Sequence, residues 1–388
     1  MEGLLVSLIF ISIGILFVPF LSKLLRIPVS VGEILYGIAV GKSGLNLIEP
    51  SQWLQFLSTF GFLLLMFIAG LEVKIKEIYR LPLKTKLIYT AVPVLVLSIA
   101  FICGSKLSFH PLISIALGAI SVGIVVAVLK EKGLLPTHYG KTVFLTGIVG
   151  EVFTIAALTL FGLYTEFGFG VDFWKGIGEL LLFLLVARLI LIFLRSFVWW
   201  YPNRFKFFFE KNPAEIGVRI SLAVMFVLSV AASLIHVEPI IGAFLAGVIF
   251  ATVFEDTENI EEKLSGISFG FLIPIFFISV GINFVMPHLS LHLLELISVM
   301  VAVSFASKVI PSLLLKLEGL TLKESVAAGF LLSAPLTLVI VIAELGVKMG
   351  AIDHHTESSL ILLAIITGIL APVLFNIAYG KGNEGSNT

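Results

Sequence analysis

The fold class this sequence predicts is all-α integral membrane: about 13 transmembrane helices, arranged as two inverted six-helix repeats with crossed discontinuous helices. Three observations carry that expectation. Of 388 residues, 59% are hydrophobic and 13% charged, against roughly 25% charged in an ordinary soluble domain, and the mean hydropathy is +1.12. The apolar residues fall into long runs bounded by charged loops. A short glycine-containing pattern returns about 210 residues further along the chain.

In chain order the apolar segments lie at about 3–22, 28–41, 52–71, 86–106, 111–129, 141–163, 174–198, 214–236, 238–254, 264–285, 290–317, 322–347 and 357–379. Most are long enough, at roughly 1.5 Å per helical residue, to cross a hydrocarbon core of about 30 Å. The second and ninth are short and rich in glycine. The first continues to Lys23 with no small-residue cleavage site, so it is expected to be the first span and not a cleaved leader. Alternate loops differ in positive charge. One set holds Lys23, Arg26, Lys74, Lys76, Arg80, Lys84, Lys86, Lys130, Lys132, Lys141, Arg195, Arg204, Lys206, Lys211, Lys263, Lys316, Lys323 and Lys381, whereas the other holds Lys42, Lys106, Lys175 and Lys348. Positive loops stay cytoplasmic, which places the N-terminus outside and the C-terminus inside and agrees with an odd number of spans.

The repeat is read from two matches. Val31–Val40 is VGEILYGIAV and Ile241–Phe250 is IGAFLAGVIF, which sets Gly32 over Gly242, Leu35 over Leu245 and Gly37 over Gly247 at an offset of 210. FGFL occurs at Phe60–Leu63 and again at Phe269–Leu272, an offset of 209. Spans one to six then repeat as eight to thirteen with span seven as connector, and a shift of seven spans inverts direction across the membrane. Inverted repeats with a midplane site are a transporter architecture. The same register lays span five, with Gly118, Ser121 and Gly123, over span twelve, with Gly329, Ser333 and Pro335. Proline removes a backbone donor and crowds the preceding turn, so span twelve is expected to break near Ser333–Pro335, and span five near Ser121–Gly123.

Span six carries one carboxylate, Glu151, near its middle. Insertion scales put an ionised acid there at about +2.5 to +3.5 kcal/mol, and such acids face protein or water and belong to ion or proton pathways. The competing reading is a protonated structural carboxyl bonded to a neighbouring helix. If spans five and twelve break and cross beside Glu151, free carbonyls and half-helix ends would supply a cation with ligands and the acid with dipoles.

Several function classes are disfavoured. Lys plus Arg equals Asp plus Glu at 25 each, which leaves no basic surface for a nucleic-acid partner. Cys103 is the single cysteine and cannot form an internal disulfide. GIAVGKS at Gly37–Ser43 has three residues between its glycines, where a phosphate-binding loop needs four. Asp353, His354 and His355 sit together in a predicted outside loop, read as a solvated loop with a weak surface metal or proton site as the alternative. The acidic stretch Glu255–Glu262 reads as a solvated cytoplasmic loop. Arg188 and Arg219 fall within spans and are expected to snorkel or to pair with acids such as Glu179 or Glu215. A cation channel would need more intramembrane polar residues, and a membrane enzyme would need a nucleophile with its base or a metal set at the midplane.

GEILYGIAVGKSGL (Gly32–Leu45), LLLMFIAGLE (Leu63–Glu72), GAFLAG (Gly242–Gly247) and PIFFISVGI (Pro274–Ile282) resemble, in order and spacing, the signatures of monovalent cation:proton antiporters, with the Kef and NapA-like exchangers as the nearest branch. The resemblance implies that span six carries the site pair, whose second member binds cation or proton. Gly150 and Glu151 stand there, so Glu151 is the expected cation (metal) and proton ligand and the first acid is missing. The family's basic residue on span eleven matches Lys308 in VSFASKVIPS. Without that acid, Lys308 could contact Glu151, cap a broken-helix carbonyl, or titrate. Gly150, Ser121, Lys308, Ser333 and Pro335 form the supporting site. Ala334, Pro335 and Leu336 occupy the place of the Arg-Gly-Glu run common on the family's twelfth span.

The resemblance further implies a scaffold and dimerisation domain at 1–85 and 212–288, an ion-transport core at 86–165 and 289–380, a connecting span within 172–211 and a cytoplasmic tail at 381–388. The expected function is exchange of Na⁺ or K⁺ for H⁺ across a plasma membrane by alternating access, with no cofactor and no covalent chemistry. The partners are monovalent cations, protons, membrane lipid and a second copy of the chain as a homodimer. With one titrating acid, exchange is expected to be electroneutral.

Overall fold

The computed structural model describes residues 2–25, 27–48, 50–72, 81–200, 215–235, 239–253, 258–286 and 291–380. The regular elements among them are all helical. In chain order they are α1 (Glu2–Leu25), α2 (Val29–Val40), α3 (Gln52–Leu71), α4 (Leu83–Lys106), α5 (Pro111–Gly118), α6 (Gly123–Glu131), α7 (His138–Phe167), α8 (Val171–Trp200), α9 (Ile216–Leu234), α10 (Pro239–Val253), α11 (Glu258–Ile267), α12 (Ile273–Asn283), α13 (Leu291–Ser312), α14 (Leu322–Leu332), α15 (Leu336–Lys348) and α16 (His354–Tyr379). Among the described residues, 10 segments are long and apolar enough to cross a membrane, and α2 and α10 are shorter apolar helices. Large apolar side chains also cover outward faces, with Phe20 70% and Ile377 72% exposed. This is a multi-pass membrane protein, because only an apolar surrounding makes such faces inexpensive.

The chain divides into two compact units: Met1–Leu21, Gly32–Arg80 and Gly162–Asn283 form the first, and Ser22–Val31, Leu81–Phe161 and Phe284–Thr388 the second. In the first unit α10 packs on α3 and α9, and α3 packs on α12. Glycines set how near these helices come. A β-carbon on Gly70 would stand 2.1 Å from the Phe244 carbonyl oxygen, and one on Gly37 would stand 2.2 Å from that of Ile278. Backbone meets backbone at both places, as small residues permit in membrane helix packing.

In the second unit α13 packs on α4, α5 and α14, while α16 lies against α14 and α15. Two helical paths there are interrupted. The first leaves α5 at Ala119, whose φ of −61° and ψ of 138° are extended, and resumes at Gly123. The second leaves α14 at Ser333 and resumes at Leu336, with Pro335 as the N-cap of α15. Pro335 lacks the N–H that would continue the α14 ladder, whereas the 119–122 break contains no proline. The start of α14 is fixed by a capping box in which Thr321 Oγ1 accepts from Glu324 N and Glu324 Oε2 accepts from Thr321 N.

The tenth predicted span contains a feature absent from the expectation. Between α11 and α12, Ser268–Leu272 forms a π-helical turn, closed by Ile273 N donating to Ser268 O. Pro274 follows, with no N–H to donate and a ring that crowds the carbonyl of Gly270, and a widened turn relieves that crowding. The acidic stretch predicted as a loop is helical from Glu258, where Lys263 Nζ pairs with Glu215 at 2.7 Å. Glu179 lies 4.0 Å from Lys175. Glu255, the basic loop residues Arg26, Lys74, Lys76, Arg80, Arg204, Lys206 and Lys211, the end of the connector and the tail at 381–388 lie outside the described residues.

Candidate functional site

Glu151 lies within α7, a 30-residue helix, and is 2% exposed. It meets the non-helical segment 119–122. Ser121 Oγ donates to Oε1 and the Val122 backbone N–H points at Oε2, each at 3.4 Å. These are long contacts, so they orient the carboxylate without clamping it. The α5–α6 interruption is what makes this possible, since inside a continuous helix the Val122 amide would be committed to the turn before it.

Glycine lets the two segments approach. A β-carbon on Gly150 would stand 2.6 Å from Ile120 Cδ1 and 2.9 Å from its Cβ, and one on Gly147 would stand 2.9 Å from Val122 Cγ1. The position where the family pattern has a first acid is therefore filled by the linker's own side chain, which leaves no room for a carboxylate.

Lys308, on α13, is fully buried. Its ammonium donates to the Leu117 carbonyl oxygen, and to Ser304 Oγ at 2.9 Å. The first contact caps a carbonyl at the broken end of α5. Leu117 is in the last turn of α5, where carbonyls lack helical partners and the helix dipole is negative, so a cation there is favoured. Ser307 Oγ, also on α13, reaches the same carbonyl at 3.4 Å.

Ser333 and Pro335 shape the second interruption. Ser333 is fully buried and donates to Gly329 O at 2.7 Å. Leu332, the residue before it, stands 3.5 Å from a β-carbon built on Gly147, one turn before Glu151.

Three polar residues at this site escaped the sequence reading: Thr154, Ser304 and Ser307. Thr154 Oγ1 accepts from Ile120 N at 3.1 Å and donates to Gly150 O at 2.9 Å. Serine and threonine inside apolar helices carry no distinguishing signal, since most simply bond their own helix. Glu33, on α2 of the first unit, is 4% exposed and gives the same signal as Glu151, an acid within an apolar run. Glu344 does so on α15.

The Asp353–His355 cluster is a helix start. Asp353 caps α16, accepting from Thr356 N at 2.9 Å and from Thr356 Oγ1 at 2.6 Å, and His354 Nδ1 lies 2.8 Å from Glu357 Oε2. The bonds from the Thr356 hydroxyl and then its amide hold the Asp353 carboxyl below its usual range. No group of three or more His, Cys, Asp or Glu suited to a metal ion occurs among the described residues. What Glu151 and Ser121 provide is a carboxylate and a hydroxyl, hard oxygen donors suited to a small monovalent cation.

The sequence profile of the transmembrane sodium/hydrogen exchangers matches residues 4–377. A Bacillus subtilis protein named for Na⁺/H⁺ antiport, YjbQ, is 32% identical over 402 aligned residues, covering 95% of this chain and 63% of that protein. This chain therefore spans less than two thirds of that relative. Antiporter 3 of Methanocaldococcus jannaschii, also named for Na⁺/H⁺ antiport, is 29% identical with 94% of each chain covered. Among solved structures, the sodium proton antiporter MjNhaP1 of the same organism superposes with a TM-score of 0.63 at 14% identity, covering 97% of both chains. That likeness concerns the fold.

Proposed function

The chain belongs to the transmembrane sodium/hydrogen exchanger family, and on that premise we propose that it is a secondary antiporter exchanging a monovalent cation, Na⁺ or K⁺, for H⁺ by alternating access. The family is one of transporters, not enzymes. Glu151 is the group that alternates. The observation that carries this is a carboxylate only 2% exposed, within a membrane-length helix, met by two loose donors from an interrupted helix. A proton neutralises it, and so does a monovalent cation. Since one carboxylate does not hold both, occupation by one releases the other. The empty site is charged and costly to carry through an apolar barrier, so the loaded forms are the ones that cross.

Thirteen spans in two inverted repeats belong to the same reading. Support for the repeat comes from a pair of contacts. Gly37 of span two approaches Gly281 of span ten, and Gly247 of span nine approaches Gly70 of span three. The offsets of 210 and 209 carry span two onto nine and span three onto ten, so the two helix pairs are counterparts, each brought together at glycines. The two compact units support a scaffold at 1–85 and 212–288 and a transport core at 86–165 and 289–380, although Ser22–Val31 falls with the second unit; α8 clusters with the first. Crossed interruptions beside Glu151 are supported by Leu332, next to the second break, standing 3.5 Å from a β-carbon built on Gly147. A homodimer, lipid as surrounding partner, a plasma-membrane location and an outside N-terminus complete the proposal, the last resting on loop charge. Na⁺ is the first cation to test, because the Bacillus and Methanocaldococcus relatives are named for it.

The test is proton flux in vesicles containing the purified chain, with pulses of Li⁺, Na⁺, K⁺ and Rb⁺. Cation-dependent proton movement is expected, and Glu151→Gln should fold and be silent, because an amide keeps the size but neither binds a cation by charge nor exchanges a proton. Conductance without coupling would indicate a channel, and coupled exchange by folded Glu151→Gln would remove this residue from the mechanism.

A further inference from the structure

Thr154 is 1% exposed and sits one turn beyond Gly150 on α7. Its donation to Gly150 O is ordinary for a hydroxyl in an apolar helix. Its acceptance of the Ile120 amide is different, because Ile120 belongs to another segment. Where α5 ends, Ala119 N takes the Ala116 carbonyl, and the chain turns extended. The Ile120 amide is thus buried outside any helical ladder, and buried amides are almost always paired. Thr154 supplies that pair. The two residues after Ile120 then present the Ser121 hydroxyl and the Val122 amide to Glu151.

We propose that Thr154 is a positioning residue for the exchange site: its hydroxyl bridges the 119–122 linker to the turn of α7 that carries Glu151, and thereby sets cation affinity. The proposal rests on the exchange reading above. Lys308 holds the end of α5 on one side of the break, and Thr154 holds the linker on the other. With the bridge removed, the linker is free to drift from the carboxylate. The ligand geometry for the cation loosens, while the carboxylate that alternates is intact.

The experiment uses the full chain in vesicles and measures Na⁺-driven proton flux at fixed pH, separating apparent KM from maximal rate, with Glu151→Gln as the silent control. Thr154→Val keeps the shape and removes the hydroxyl. Its KM for Na⁺ should rise on the order of tenfold, with a maximal rate within about twofold of the parent. Thr154→Ser keeps the bridge and should restore the parent KM. An unchanged KM in folded Thr154→Val, or an equal rise in Thr154→Ser, overturns the proposal. Should Thr154→Val fail to fold, Thr154→Cys, whose thiol is a weak donor and acceptor, is compared with Thr154→Ser; a higher KM for the thiol is expected, and equal values overturn the proposal. Absence of exchange in the parent chain would instead defeat the exchange reading and this inference with it.

Discussion

Gly150 and Lys308 are the residues where side-chain size and charge act most directly on the site. At Gly150 a single methyl group would enter the space of Ile120, whose backbone is already tied to Thr154. Overpacking of this kind costs about 1–3 kcal/mol. Gly150→Ala is therefore expected to lower the melting temperature in detergent and to raise the cation KM, while identical melting and KM would mean that the linker yields freely. Lys308→Met removes the ammonium from Ser304 and leaves the Leu117 carbonyl with only the longer contact from Ser307, a loss of about 1–3 kcal/mol. Lys308→Gln can still donate to that carbonyl and should lose less. If both variants melted like the parent, the capping role would be refuted.

At the scale of elements, helix ends decide where the backbone is free. The start of α14 depends on Thr321 and Glu324; Thr321→Ala should cost about 1 kcal/mol, read as a lower melting temperature. The start of α16 depends on Asp353, whose carboxyl is held below its usual range by the Thr356 hydroxyl. A depressed acid stabilises the fold above its ordinary pKa, and that contribution is lost as pH falls through the lower folded value. Protection of the Thr356 amide, the slowing of its exchange relative to an unstructured chain at the same pH, should therefore fall in acid below the usual carboxylate range, and in Asp353→Ala it should be low at every pH. Protection of the Thr356 amide that does not change with pH in the parent would count against the cap.

For the whole molecule the consequence of a missing first acid is electrical. If Glu151 is the one acid titrating in the cycle, one proton leaves as one monovalent cation enters, and no net charge moves. Exchange in vesicles clamped at zero potential should then match exchange at a strongly negative potential. Glu33 and Glu344 are further acids in apolar helices, and Glu33→Gln and Glu344→Gln should preserve that independence. A potential-driven acceleration that vanishes in Lys308→Gln would mean that the lysine carries a second proton, and the one-acid argument would fail.

The membrane class, the isolated carboxylate of Glu151 and a stop at Pro335 follow from the sequence alone, because hydropathy, the cost of a buried charge and the missing proline N–H are properties of local residues. The break at 119–122 is another matter. It carries no proline and came only through the repeat, and the π turn before Pro274 was not foreseen. That Lys308 reaches Leu117 O depends on α13 packing beside α5. Thr154 was invisible for the same reason: its sequence neighbourhood matches any threonine that bonds its own helix. Which hydroxyl or ammonium meets which freed backbone group depends on helices distant in sequence packing side by side. Only the tertiary structure decides that.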